Sequence, residues 1–176
     1  MESASKFYTK QKKPSLQTVF LLNHRWTKFH REALDRAEKV ADAVNTIRDM
    51  VNSGPNTMNT RAFVKATKKV GRKNQYQIKD LTKPALEKLG MGGLLAVNRG
   101  SVDGAHLLIL KHRSRKRSAP ILLVGKGIIF DTGGVNLKTS SLHEMHLDMA
   151  GAAAVLGVFM VLKKLGIDQH VIGMMP

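Results

Sequence analysis

The chain has 176 residues, 43% of them apolar, and a formal charge of +16. That is the size of one ordinary domain with enough apolar content for a core, so disorder by composition is excluded. The absence of cysteine excludes a disulfide framework and thiolate zinc sites, and fits a reducing, cytoplasmic setting.

The charge is uneven. Residues 1–120 hold 25 Lys and Arg against 9 Asp and Glu, whereas residues 121–176 hold 4 of each. All the surplus therefore lies upstream. A solvated surface is the ordinary reading of such a surplus; attraction to nucleic acid or another polyanion is the sharper one. Aromatic residues are only 5% of the chain, which gives little support to base stacking.

In chain order, residues 1–15 read as a basic tail, and the polar, lysine-rich start shows no secretory leader. Leu16 to Leu22 reads as a short strand or a remnant of a longer element. From Arg31 to Asn52 the apolar residues Leu34, Ala37, Ala41, Val44, Ile47 and Val51 recur at three and four, which predicts a helix. Ser53-Gly54-Pro55 stops it. A second helix is expected over 60–70, with Phe63, Val64, Thr67 and Val70 on one face. Tyr76 to Lys79 reads as a strand and Lys83 to Leu89 as a short helix closed by Gly90 and the Gly92-Gly93 turn.

Leu107 to Leu110 and Ile121 to Val124 read as buried strands, separated by a basic loop over 113–117. Ile128 to Phe130 is expected as a third, short strand. Asp148 is expected to open a helix reaching Gly166, and His170 to Met175 to form another strand. The apolar run at 149–162 is too short and too rich in Ala and Gly for a membrane span. Strands alternate with helices and the apolar strands are continuous. The expected fold is therefore α/β, with a mostly parallel sheet flanked by helices. No internal repeat is visible.

One segment carries chemistry. Val124 to Lys138 (VGKGIIFDTGGVNLK), followed by Asp148-Met-Ala-Gly-Ala-Ala-Ala, sets Lys126, Asp131, Lys138 and Asp148 in a glycine-rich, apolar frame. Asp131 follows a strand, where sites gather in open α/β sheets. Asp148 sits where a helix dipole favours a carboxylate. Two carboxylates are hard ligands for a divalent cation. Lys126 ligates only if its proton is driven off, and Lys138 offers a fixed positive charge to a developing oxyanion. On residue types alone, such a set is more often surface charge than a site. Nearby, His143 and His146 stand three apart, not the four of the helical zinc motif, and no Walker or Gly-x-Gly-x-x-Gly loop is present.

The segment resembles the leucyl (cytosol) aminopeptidases, two-metal exopeptidases with an α/β catalytic domain. Asn45-Thr-Ile-Arg-Asp-Met-Val-Asn-Ser-Gly-Pro-Asn-Thr-Met-Asn and Leu89-Gly-Met-Gly-Gly-Leu-Leu-Ala-Val-Asn-Arg-Gly-Ser extend the likeness over roughly 35–176. The resemblance implies that Lys126 and Asp148 hold one metal, Mn or Zn, and that Asp131 bridges two. It makes Lys138 the catalytic lysine that polarises the scissile carbonyl, and Met145 a lining residue of the substrate side-chain pocket. The implied partner is a peptide with a free N-terminus, and family members form hexamers.

The family completes its ligand set with an Asp-x-Glu-x-Arg segment, and no such segment occurs here. After Asp148 the only acidic residue is Asp168, and no arginine follows. The expectation is thus an incomplete sheet, the first half of the catalytic domain over 31–176, preceded by a basic tail or upstream remnant over 1–30. Such a chain is expected to bind at most one metal weakly and to be weakly active or inactive alone, unless another chain supplies the missing half. The alternative reading is a basic protein that binds nucleic acid or another polyanion.

Overall fold

A computed structural model describes residues 18–23, 25–115 and 118–176. The tail over 1–15, the first two residues of the Leu16–Leu22 element and residues 116–117 of the basic loop lie outside them. Residues 18–23 form no strand.

The described residues form five helices and one four-stranded sheet: α1 (Lys28–Asn52), α2 (Thr60–Lys73), β1 (Gln77–Thr82), α3 (Lys83–Lys88), α4 (Gly92–Val97), β2 (His106–His112), β3 (Ile121–Val124), α5 (Ala150–Val161) and β4 (Val171–Met175). A short 3-10 helix spans Leu142–Leu147. The sheet order is β1-β2-β4-β3.

The α/β layering is as expected, but the strand directions are not. β1 with β2 and β2 with β4 run antiparallel, and only β3 with β4 runs parallel. Continuous apolar runs report burial on both faces, whatever the direction of the neighbours. β2 illustrates this. Leu108 and Leu110 face a core built with α2 and α5, and Leu107 faces a second core with Leu86 of α3 and Leu94 near α4's middle. Both faces are covered, so period-two alternation is lost.

Local signals explain most boundaries. Asn59 caps α2 by accepting from the Ala62 amide at 3.0 Å. Pro84 sits at the start of α3, where its missing N–H costs nothing. α1 buries Ala43 and Met50, while Ala37, Ala41 and Val44 of the expected stripe are exposed.

α5 is apolar all round and is the core helix of the main layer. Ala152, Ala153, Leu156 and Phe159 are fully buried. By composition Leu142–Val161 is long enough to cross a membrane. However, the chain changes at Asp148 from the 3-10 turn to a helix of 12 residues. Twelve residues rise about 18 Å, against the roughly 30 Å of a bilayer core.

Three expectations need correction. Ile128 to Phe130 forms no strand, Gly92–Val97 is helical beyond the expected turn, and the last helix runs Ala150–Val161 instead of from Asp148 to Gly166. β3 is an edge of the sheet among the described strands, and Ile121, Leu122 and Val124 on it are exposed.

Candidate metal centre

β3 and β4 run parallel and deliver their carboxyl ends to one place. The pairing continues past β3 through the Gly125 amide to the Met174 carbonyl at 2.9 Å. The chain then passes against the first turn of α5, where the Ala152 amide bonds the Lys126 carbonyl at 2.9 Å. A side chain at Gly125 would overlap the Gly151 carbonyl, so two glycines face each other at this crossing. This contact sets Lys126 beside the residue that leads into α5, Asp148.

Asp131 and Lys138 are brought in by a tight loop. The Asp131 carboxylate accepts from the Gly133 amide at 2.8 Å, and the Lys138 amide bonds the Thr132 carbonyl at 3.1 Å. Gly133 and Gly134 have φ of +74° and +86°, and Val135 and Asn136 follow at +49° and +57°. A left-handed β-branched residue such as Val135 is a strained backbone position.

The four charged groups converge. Lys126 Nζ is 2.8 Å from Asp148 Oδ1 and 3.4 Å from Asp131 Oδ2. Lys138 Nζ is 3.2 Å from Asp131 Oδ2 and 4.0 Å from Asp148 Oδ2. It also lies 3.0 Å from Met145 Sδ. All five residues singled out from sequence are therefore together.

The electrostatics follow from these contacts. The Gly133 amide, then Lys138 and Lys126, hold the Asp131 carboxyl down at about 2. The hydrogen bond that Lys126 donates to Asp148 is the main reason its amine is pushed above its ordinary value. Lys126 is thus an ammonium here, with no lone pair to give.

Asp148 Oδ2 tests whether a cation fits. It is buried and accepts no hydrogen bond. An orphaned buried acceptor costs roughly 1–3 kcal/mol. Two carboxylates with one unused, buried oxygen fit a hard divalent cation. Lys126 fits as a third ligand once its proton is displaced. Among the described residues no group of three or more His, Asp or Glu could hold a metal, so the set rests on these carboxylates and lysines.

His143 and His146 stay outside. The His143 ring approaches Glu144, at 3.9 Å, and His146 Nδ1 bonds the His143 carbonyl at 3.0 Å. A cleft of about 460 Å³ is lined by Lys126 together with Leu94, Val97, Phe130 and Pro176. Met145 does not line it.

Sequence reading missed one cluster. His106 Nδ1 is 2.7 Å from Asp80 Oδ1, and Lys68 Nζ is 2.6 Å from Asp80 Oδ2. Burial raises the Asp80 carboxyl, and the bonds from Lys68 and His106 together outweigh it, leaving it below its ordinary value. His106 also lines the cleft. The signal is the β1–β2 register: Asp80 faces Leu108, so His106 is its diagonal same-face neighbour. That register is not legible before the strands are paired.

The description "cytosol aminopeptidase family, catalytic domain" matches residues 45–176. The chain belongs to that family. It is 38% identical over 147 residues to the probable cytosol aminopeptidase of Methylobacillus flagellatus, covering 82% of this chain and 30% of that protein. With its counterpart from Syntrophobacter fumaroxidans it shares 40% over 162 residues, covering 90% and 32%. Among solved structures it is similar to the bottromycin maturation enzyme BotP in complex with Mn, with a TM-score of 0.78 and 32% identity over 85% of this chain and 33% of that one. Caenorhabditis elegans leucine aminopeptidase gives a TM-score of 0.77 at 28% identity, over 83% and 30%. The chain thus spans about 30% of the length of these curated relatives.

Proposed function

We propose that residues 31–176 form the metal- and lysine-bearing part of an aminopeptidase catalytic domain, which acts on peptides with a free N-terminus. The observation that carries this reading is the convergence of Lys126, Asp131, Lys138 and Asp148 around one buried, unbonded carboxylate oxygen. Family membership supports it, as does the Mn in the BotP structure.

Lys126 and Asp148 would hold one divalent cation, Mn or Zn, and Asp131 would reach a second. When bound, such cations supply Lewis acidity, lowering the pKa of water and taking up negative charge in the transition state. The chain's own groups do the rest. Asp131 stays ionised at any physiological pH because the Gly133 amide and Lys138 hold its carboxyl low. Lys138, 3.2 Å from Asp131, offers its positive charge to the scissile carbonyl oxygen as charge develops there. Met145, in contact with the Lys138 ammonium, bounds the space for the substrate's first side chain.

These 176 residues offer three ligands to one cation and only a shared carboxylate to another. They bind one cation weakly and turn over little substrate by themselves. The name of the relatives supports a cytoplasmic setting. The decisive experiment is a thermal melt with and without MnCl2 or ZnCl2, paired with release of leucine from leucine amide. Cation-dependent stabilisation that is lost in Asp131→Ala supports the reading. Stabilisation unchanged in Asp131→Ala overturns the site, and rapid turnover abolished by Lys138→Ala overturns the weak-activity statement.

A further inference from the structure

On the outer face of α2 runs a stripe of cations. Arg61, Lys65, Lys69, Arg72 and Lys73 are all exposed, and the helix contains no acidic residue. Arg61 pairs with Asp103 at 3.0 Å and the half-buried Lys68 with Asp80. Among the described residues, Lys65, Lys69, Arg72 and Lys73 have no ion-pair partner. Arg72 and Lys73 are accounted for in part by the negative end of the helix dipole. Lys65 and Lys69 sit mid-helix and gain nothing from it.

The stripe continues beyond the helix. Gln75, just after α2, accepts from Lys163 Nζ at 3.4 Å, and Gln77 at the start of β1 accepts from Arg113 Nη2 at 3.5 Å. Both cations are exposed. The face therefore runs from Lys65 through Lys73 to Lys163 and Arg113 without an exposed carboxylate bonded to any of them.

We infer that this face binds the sugar-phosphate backbone of a nucleic-acid duplex. Lys65, Lys69 and Lys73 are four residues apart, about 6 Å of rise per step, so the three span about 12 Å, over which one strand of a duplex presents three to four phosphates at about 3.4 Å of axis each. A membrane surface fits less well, because an interfacial helix needs exposed apolar side chains. α2 exposes no large apolar residue and uses its apolar face, Phe63, Val64 and Thr67, against the sheet. Single strands fit less well too, since the exposed aromatics Phe20, Trp26 and Phe29 lie in the N-terminal segment and α1, leaving no stacking platform here. The contacts are to phosphate, so binding is blind to sequence.

The test is fluorescence anisotropy of a labelled 20-base-pair DNA duplex with the full chain across a salt series. The variant is Lys65→Gln/Lys69→Gln/Lys73→Gln. Its control, Lys83→Gln/Lys88→Gln/Arg99→Gln, removes the same charge beside α3 and α4 on the opposite face of the sheet. Each lost phosphate contact flattens the slope of log K against log salt by about 0.9, so the α2 variant should flatten it by about 2.7 and the control by much less. Circular dichroism checks that both variants keep the fold, and Lys→Arg replacements at the three positions should restore the slope. Equal effects of variant and control would show diffuse charge and overturn the site. So would an absence of binding at low salt, or binding to anionic vesicles but not to duplex.

Discussion

Lys126 Nζ lies 2.8 Å from Asp148 Oδ1, while the other oxygen of the same carboxylate is buried and accepts no hydrogen bond. The pair is half satisfied. One oxygen takes the Lys126 ammonium, and the other, 4.0 Å from Lys138 Nζ, has no hydrogen bond. The two residues are 22 positions apart in sequence and meet because the exit of β3 crosses the first turn of α5 at Gly125 and Gly151.

Competition between a proton and a metal at Lys126 follows from that contact. Asp148 pushes the Lys126 amine above its ordinary value, so a cation that takes Lys126 as ligand must displace a proton. Isothermal titration with MnCl2 should show affinity rising with pH, by up to about tenfold per unit for one displaced proton. Lys126→Met should weaken binding and remove that pH dependence. A pH-independent affinity in the parent chain would mean that Lys126 does not ligate.

Asp131 should titrate far below an ordinary aspartate. Its carboxyl, held first by the Gly133 amide and then by Lys138, falls to about 2. Carbon-detected NMR of the side-chain carboxyl should find it ionised throughout the range where a free aspartate, near 3.9, titrates. Lys138→Met should move it up only part of the way, because the Gly133 amide remains.

Gly133→Ala should loosen the site with little effect on the fold. A left-handed non-glycine residue costs about 1–2 kcal/mol, and the new Cβ would stand 2.9 Å from Lys138 Cγ, pushing that side chain aside. Thermal melts should show a modest fall. The Mn-induced rise in Tm should shrink with it, because Asp131 and Lys138 are set by this loop.

Gly173→Ala should strike the core. Gly173 lies in β4, where a Cβ would overlap the ring of Phe159, which is fully buried and has no room to retreat. Overpacking of this kind costs about 1–3 kcal/mol. Urea denaturation should show the midpoint fall, and Phe159→Ala should cost more, about 3–5 kcal/mol.

The Asp80 cluster should make the fold acid-sensitive. Its carboxyl is lowered in the folded state, so the stability it contributes is complete above the unfolded value, near 3.9, and is lost as pH falls through the folded value. Asp80→Asn should remove most of that dependence. It should also cost roughly 1.5–3 kcal/mol at neutral pH for the charge-assisted bonds to Lys68 and His106, read by chemical denaturation at both pH values.

Most elements were legible because their signals are local. The helices over 28–52 and 60–73 show three-and-four spacing, a proline-glycine stop and the Asn59 cap. Strands β2 and β3 are short apolar runs between turn residues. Ile128 to Phe130 carries the same composition but has no neighbouring strand to pair with, and composition does not reveal a missing partner. Strand direction failed for a related reason. An apolar run reports two covered faces, and only the pairing of β2 with β1 and β4 shows that both neighbours run antiparallel.

The residue types at the site, their spacing and the family likeness were all present in the linear chain: Lys126, Asp131, Lys138, Met145 and Asp148 are consecutive features of one segment. What the tertiary structure alone decided is which of them touch. Lys126 reaches both carboxylates, Lys138 leans on Asp131 and Met145, and Asp148 keeps one buried oxygen unbonded. The same holds for Asp80 with His106 and for the clear outer face of α2. Identity and spacing are properties of the covalent chain. Contact between residues far apart in it exists only after the strands pair and the helices settle on the sheet, since burial and register, not sequence distance, set those separations.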